Sequence, residues 1–301
     1  MPSFTVFRPG NAMGSLWGGA FIAVSLLLGA GLLYRGLTMD VGLWQLPVLF
    51  AGGIFVCLCA LYAYWTWSCT SLRYLVDRNA LDIRWGSVHQ IVPLANIERL
   101  VPGEEDDNPQ IEGINWPGHH IGSAHVDDVG DVLFYSAHRS PGEVLYVQTP
   151  TKIYGISVPD AVFFAQTVQS NQSRGALFEQ RQSVHRWGIA AQTFWLDRSA
   201  LLLALAMIAA FGAVLGYVLN TYPDLSQSVP LRFPSLGGVV RVTDKSELLD
   251  IPRSAFGFLA VDLLLAILLH SWERMVGYVL LLAGIAVQVM LLIAAIVAVA
   301  E

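Results

Sequence analysis

Five stretches of this chain are long and apolar enough to cross a bilayer, and they constrain its fold more than anything else in it. Spanning about 30 Å of hydrocarbon takes about 20 helical residues, because every backbone N–H and C=O must be satisfied within the segment. Ser15–Tyr34 and Leu46–Trp67 meet that length, and the second ends in aromatic residues suited to a headgroup boundary. Ser199–Leu219 is the third. The last two, Ser254–His270 and Met275–Val299, form a hairpin around the turn HSWERM. The first run exceeds the usual h-region and no A-x-A pattern follows it, so we read it as an uncleaved helix.

Composition agrees with this reading. Only 13% of residues are charged, where a soluble domain has about 25%. The net charge is −6 and the only lysines are Lys152 and Lys245, which speaks against a nucleic-acid partner. Cys57, Cys59 and Cys69 fall in or just after the second run. Residues i and i+2 of a helix point apart, so these cysteines read as small buried hydrophobes.

Five helices put the two termini on opposite sides. The side bearing the long segment between the second and third runs carries Arg8, Arg73, Arg78, Arg84, Arg181, Arg186, Arg198 and Arg274. The other side carries Arg35, Arg232, Arg241, Lys245 and Arg253. That excess predicts a cytoplasmic location for the long segment. The chain thus divides into a transmembrane pair over 1–68, a soluble domain over 69–172 and a connector over 173–198. Three more helices occupy 199–301, with a loop at 220–253. The connector has an aromatic anchor in Trp187, Phe194 and Trp195, but its apolar residues line no single helical face.

Within the soluble domain the hydrophobic period changes to two. Leu81, Ile83 and Trp85 alternate with Asp82 and Arg84, and Val88–Pro93 follows as a second strand. GDVLFYSAH, EVLYVQT and KIYGISV are three more, joined by RSPG and TPT. SVPDAVFFAQTVQS then opens a helix, with its cap near Ser157 or Val158 and Ala161, Ala165 and Val168 on one face. Antiparallel strands closed by one helix predict a strongly bent sheet or barrel.

The phrases YLVDRNALDIRWG and IVPLANIERLVP resemble the opening of bacterial pleckstrin-homology (PH-like) domains. GINWPGHHIG, GDVLFYSAH and YGISVPDAVFFAQTV resemble the rest of a membrane-associated branch of that family. The resemblance covers about a third of the chain, Leu72 to Gln169, and implies a PH-like β-barrel capped by a C-terminal helix. It marks Asn115, Trp116, Pro117, Gly118 and Gly122 as the shared residues of the NWPG stretch. Further on, YPDLSQSVPLRF and the hairpin after it are similar to a bacterial membrane module of unknown function, whose P-x-x-F loop is Pro230 to Phe233 here.

Three features invite chemistry. His119, His120 and His125 lie close together with Asp127 and Asp128 behind them, but adjacent strand residues point to opposite faces, so convergence on a metal is not expected. The acidic run Gly103–Gln110 lacks EF-hand spacing and reads as a solvated loop. Over Ser71–Gln172, six Lys and Arg face thirteen Asp and Glu, a net of −7 that points away from docking on anionic lipid. Asp262 lies within the fourth helix, where a carboxylate must face other helices or water. Gln288 is the polar residue nearest in kind, yet it lies about 24 Å from the hairpin turn and Asp262 about 15 Å. Gly212 and Gly216 form a GxxxG suited to close helix packing, and Gly14 and Gly18 form another.

No Walker loop, GxSxG, dinucleotide fingerprint or CxxC pair occurs. The expectation is a non-catalytic membrane protein without cofactor, whose PH-like domain scaffolds, anchors or regulates a membrane assembly. Its partners would be lipids and a membrane protein or a second copy. Transport or gating through Asp262 is the alternative, followed by a metal-dependent enzyme at His119, His120 and His125.

Overall fold

A computed structural model describes residues 4–105, 109–232 and 240–299. Asp106, Asp107 and Asn108 of the acidic run and Phe233 of the P-x-x-F loop lie outside the described residues. The chain forms two compact units, Met1–Leu27 with Val56–Ala190, and Leu28–Phe55 with Ala191–Glu301.

The first unit opens with a short strand, β1 (Thr5–Phe7), ahead of helix α1 (Ala12–Thr38). Helix α2 (Gln45–Ser71) leads through Leu72 alone into β2 (Arg73–Val76). Then come β3 (Ala80–Trp85), β4 (Val88–Pro93), β5 (Arg99–Pro102), β6 (Glu112–Trp116), β7 (His119–Val126) and β8 (Gly130–Ser136). Strands β9 (Val144–Gln148) and β10 (Ile153–Ser157), helix α3 (Ala161–Ser173) and β11 (Ser183–Arg186) complete it. One sheet has the order β1-β2-β3-β4-β11, the other β5-β9-β10-β8-β7-β6. All pairings are antiparallel except β8 with β10, because β10 turns back from β9 and inserts between β9 and β8.

The fold is consistent with the PH-like expectation. Tyr74, Leu81, Ile83 and Val92 of the first sheet meet Ile121, Tyr135, Val147, Tyr154 and Ile156 of the second in one core. Tyr74 ties the sheets together. Its hydroxyl donates to the Tyr135 carbonyl at 2.7 Å and accepts from the Ser157 N–H at 3.1 Å. Burial raises the Tyr74 pKa above the ordinary tyrosine value.

Helix α3 begins later than its sequence suggests. Ser157 is held in β10, where its hydroxyl accepts from the Ala137 N–H, so it cannot cap. Asp160 caps instead, accepting from the Phe163 N–H at 2.8 Å. The buried face is Phe164 and Val168, and Ala161 is exposed. An Asp160→Ala substitution should lower stability by about 1 kcal/mol, read as a small drop in melting temperature of the full chain in detergent.

Strand β1 and the connector as far as Ala190, both assigned elsewhere by sequence, belong to this unit; the rest of the connector, with Phe194 and Trp195, belongs to the second. Strand β1, from the expected transmembrane pair, adds an edge to β2. The connector is held to the sheet domain at three places. Arg78 Nε donates to the Gly175 carbonyl, Asn79 Oδ1 accepts from the Leu177 N–H, and β11 pairs with β4.

The second unit contains α4 (Arg198–Thr221), a hairpin of β12 (Ser228–Arg232) and β13 (Val240–Asp244), α5 (Asp250–His270) and α6 (Arg274–Val299). The hairpin lies in what its sequence suggests is a plain loop. Ala200, Ala204 and Met207 of α4 pack with Ala255 and Ala266 of α5 and Leu281 of α6. Large apolar residues such as Leu202, Leu205, Leu264 and Met290 are exposed. Helices apolar on both faces are the expected form of lipid-facing segments. Among the described residues, five helices are long and apolar enough to cross a membrane. Of the cysteines only Cys69 is buried; Cys57 is exposed on the apolar surface of α2.

Candidate functional site

The NWPG stretch forms a β-hairpin. Strands β6 and β7 pair from Glu112↔Ser123 to Trp116↔His119, leaving Pro117 and Gly118 as a two-residue turn. Proline fixes its own φ near −65°, and Gly118 has φ +78°, the combination of a type II turn.

This tip is seated on the ends of α1 and α2 within the first unit. The Trp116 indole N–H donates to the Gly14 carbonyl at 3.2 Å, and the ring packs against Phe21 and Trp65. The approach is close from both sides. A Cβ on Gly14 would lie 2.4 Å from the Gly118 carbonyl oxygen, and one on Gly118 would lie 2.7 Å from the Gly14 nitrogen. Gly18 does the same for helix pairing, since its Cβ would meet the Thr66 hydroxyl at 2.1 Å. The Gly14/Gly18 pair thus serves two contacts, one with the hairpin and one with α2.

The three histidines have three unrelated settings. His119 is fully buried, and its Nε2 accepts from the Trp85 indole N–H at 3.1 Å. A neutral imidazole then carries its proton on Nδ1, which is buried without a partner. Burial lowers its pKa to about 4, and His120 adds to the effect. His120 bonds to Asn115 Oδ1 at 2.8 Å and stacks on His138 at 4.0 Å. Burial also lowers the pKa of His120, and that of His138 to about 3. His125 is exposed and pairs with Asp131 at 2.7 Å. Among the described residues no three His, Cys, Asp or Glu side chains converge as metal ligands. Gly122 lies opposite Gly113, and a Cβ on it would lie 2.1 Å from the Glu112 carbonyl oxygen.

In the second unit Asp262 and Gln288 are not brought together as partners. Asp262 lies against Gly284, where a Cβ would come 3.0 Å from Oδ2 and 2.3 Å from Met207 Sδ. Gln288 is fully buried and donates to the Ala255 carbonyl at 2.8 Å. Gly212 and Gly216 face Phe50 and Leu46 of α2 at ordinary to slightly tight side-chain contact.

A polar cluster that sequence reasoning missed lies nearby. Asp197 caps α4, accepts from the Tyr278 hydroxyl, and has the fully buried His270 ring 3.2 Å away. The Tyr278 bond, with the Ala200 and Ser199 N–H groups, holds Asp197 below the usual carboxylate range. Gly277 makes room, since a Cβ there would sit 2.5 Å from His270 Nδ1. A cap aspartate before an apolar run is a readable signal; its pairing with residues more than 70 positions away is not.

Residues 72–172 match the bacterial PH domain family. That is a third of the chain and coincides with β2 through α3. No curated protein and no solved structure matched the chain.

Proposed function

We propose that this is a multi-pass protein of a bacterial inner membrane, with its PH-like unit on the cytoplasmic side as a non-catalytic platform. That platform scaffolds, anchors or regulates a membrane assembly. The observation carrying this reading is the hairpin tip seated on α1 and α2 through Trp116, Gly118 and Gly14. A domain joined to a helix by one residue, and held again by a buried indole, moves with that helix pair. Such coupling suits a platform fixed to the membrane better than a tethered catalytic module. The arginine excess near the helix ends on that side supports the cytoplasmic orientation.

The partner on this reading is a membrane protein or a second copy of the chain, within a lipid environment and without nucleic acid. Purified in mild detergent without a histidine tag, the protein should run as a defined complex by light scattering and native mass spectrometry. A lone monomer that turns over a substrate with saturation would sink the proposal.

A further inference from the structure

The interior of the α4–α5–α6 bundle carries polar groups that the PH-like unit does not use. Residues on the inner face of each helix recur at spacings of three and four, which keeps one stripe of each helix on a shared seam. On α5 that stripe includes Ala255, Leu259, Asp262, Ala266 and His270, and on α6 Gly277, Leu281, Gly284 and Gln288. Each polar member faces a small residue. His270 lies against Gly277, Asp262 against Gly284, and Gln288 against Ala255.

Each also keeps polar atoms that no hydrogen bond satisfies. Both ring nitrogens of His270 and Oε1 of Gln288 are buried without a hydrogen-bond partner. Asp197 Oδ2 lies 3.2 Å from His270 Nε2, close enough to pair with an imidazolium. Among the described residues Asp262 makes no hydrogen bond or ion pair. It lies about 18 Å of helix from the Asp250 end of α5 and about 12 Å from the His270 end. A carboxylate at that depth needs water, a proton or another polar group. Over 199–216, 254–269 and 279–288 of the three helices, Asp262 is the only titratable side chain.

The two ends of the seam differ. Toward the α5–α6 turn, one layer separates Asp262 from His270. Ala204, Ala266 and Leu281 form it, so a single large side chain fills it. Beyond Gln288, the fully buried Val218, Leu248 and Ala295 close the seam.

We propose that Asp262 is a proton-binding site loaded from the α5–α6 end of the bundle, through His270 and past Leu281. Asp197 and Tyr278 are the titratable groups facing His270, with Arg274 near Tyr278. His270 takes up a proton at Nε2, on the Asp197 side, and releases one from Nδ1, on the Gly277 side. Water passing Leu281 carries it to the Asp262 carboxylate, which becomes a neutral carboxylic acid as His270 returns to neutral imidazole. The far end is closed, so the site loads and unloads on one side and does not carry protons across. Loss of the proton puts a charge in the seam and draws in water, so proton occupancy sets how tightly the three helices pack.

The test uses the full chain in mild detergent. Dicyclohexylcarbodiimide, an apolar reagent that modifies protonated carboxyl groups in membranes, should label the native chain at Asp262. Peptide mass spectrometry locates the label, and labelling should fall as pH is raised. Infrared spectroscopy on transfer from light to heavy water then gives the exchange rate, from the carboxylic-acid band that Asp262→Asn removes. Exchange should be roughly a hundredfold slower in His270→Gln, the scale of a positioned proton relay, and faster in Leu281→Ala. Leu259→Ala opens a similar cavity on the other side of Asp262 and should leave the rate unchanged. Equal acceleration by both leucine variants would overturn entry from the His270 end, and an unchanged rate in His270→Gln would overturn the relay. Absent or pH-independent labelling of Asp262 in the native chain, a result that needs no substitution, would overturn the site itself.

Discussion

Replacing Trp116 by alanine should destabilise the first unit by about 3–5 kcal/mol, the usual range for deleting a buried aromatic ring. The ring is 8% exposed and lies among Phe21, Trp65 and His119, and its N–H bond to the Gly14 carbonyl is lost with it. For a unit of this size, that corresponds to a melting point lower by roughly 10 °C, measured by differential scanning fluorimetry in detergent. Trp116→Phe keeps the ring but not the donor, and should cost about 1 kcal/mol. Gly14→Val attacks the same contact from the helix side, because its Cβ meets the Gly118 carbonyl and Cys69 Sγ at 2.4 and 2.7 Å. Hydrogen exchange should then rise over residues 112–126 while the α4–α6 bundle stays protected. Unchanged melting in Trp116→Ala would mean that the hairpin is not seated on the helices, and the platform reading would lose its support.

The parts of this molecule written in local pattern were legible from sequence. Membrane-length helices need only composition and length, and β3 and β4 show their alternation directly. The Pro117–Gly118 turn is likewise local. The hairpin around it had a signal too. Ile114, Trp116, His119 and Ile121 alternate inward across the turn and are all buried. Histidine in a core position disguised that alternation and drew attention to metal chemistry instead. Strands β1 and β11 were not legible, being three and four residues long and defined only by their partners. The Asp197, His270 and Tyr278 cluster joins three helix ends, a relation that no spacing rule encodes.

Acidification should destabilise the first unit steadily below about pH 6.5. His119, with a pKa of about 4, and His138, at about 3, are neutral in the folded state, whereas in the unfolded chain each has a pKa near 6.5. The unfolded state therefore binds more protons below about pH 6.5, and folding stability falls with pH from there. The stability from each neutral imidazole is fully present above the unfolded value and is lost as pH drops toward the folded one. For His119 the loss between pH 6.5 and 4 is about 3 kcal/mol. His138 adds a loss of similar size that continues toward pH 3. Together they approach the whole margin of about 5–15 kcal/mol typical of a folded domain. The melting temperature should thus fall steadily between pH 6.5 and 4. His119→Phe, which keeps a ring against Trp116 without a titrating nitrogen, should flatten the upper part of that slope. A melting temperature constant over this range in the native chain would mean that the buried histidines are already charged or already wet, and the packing around Trp116 would have to be redrawn.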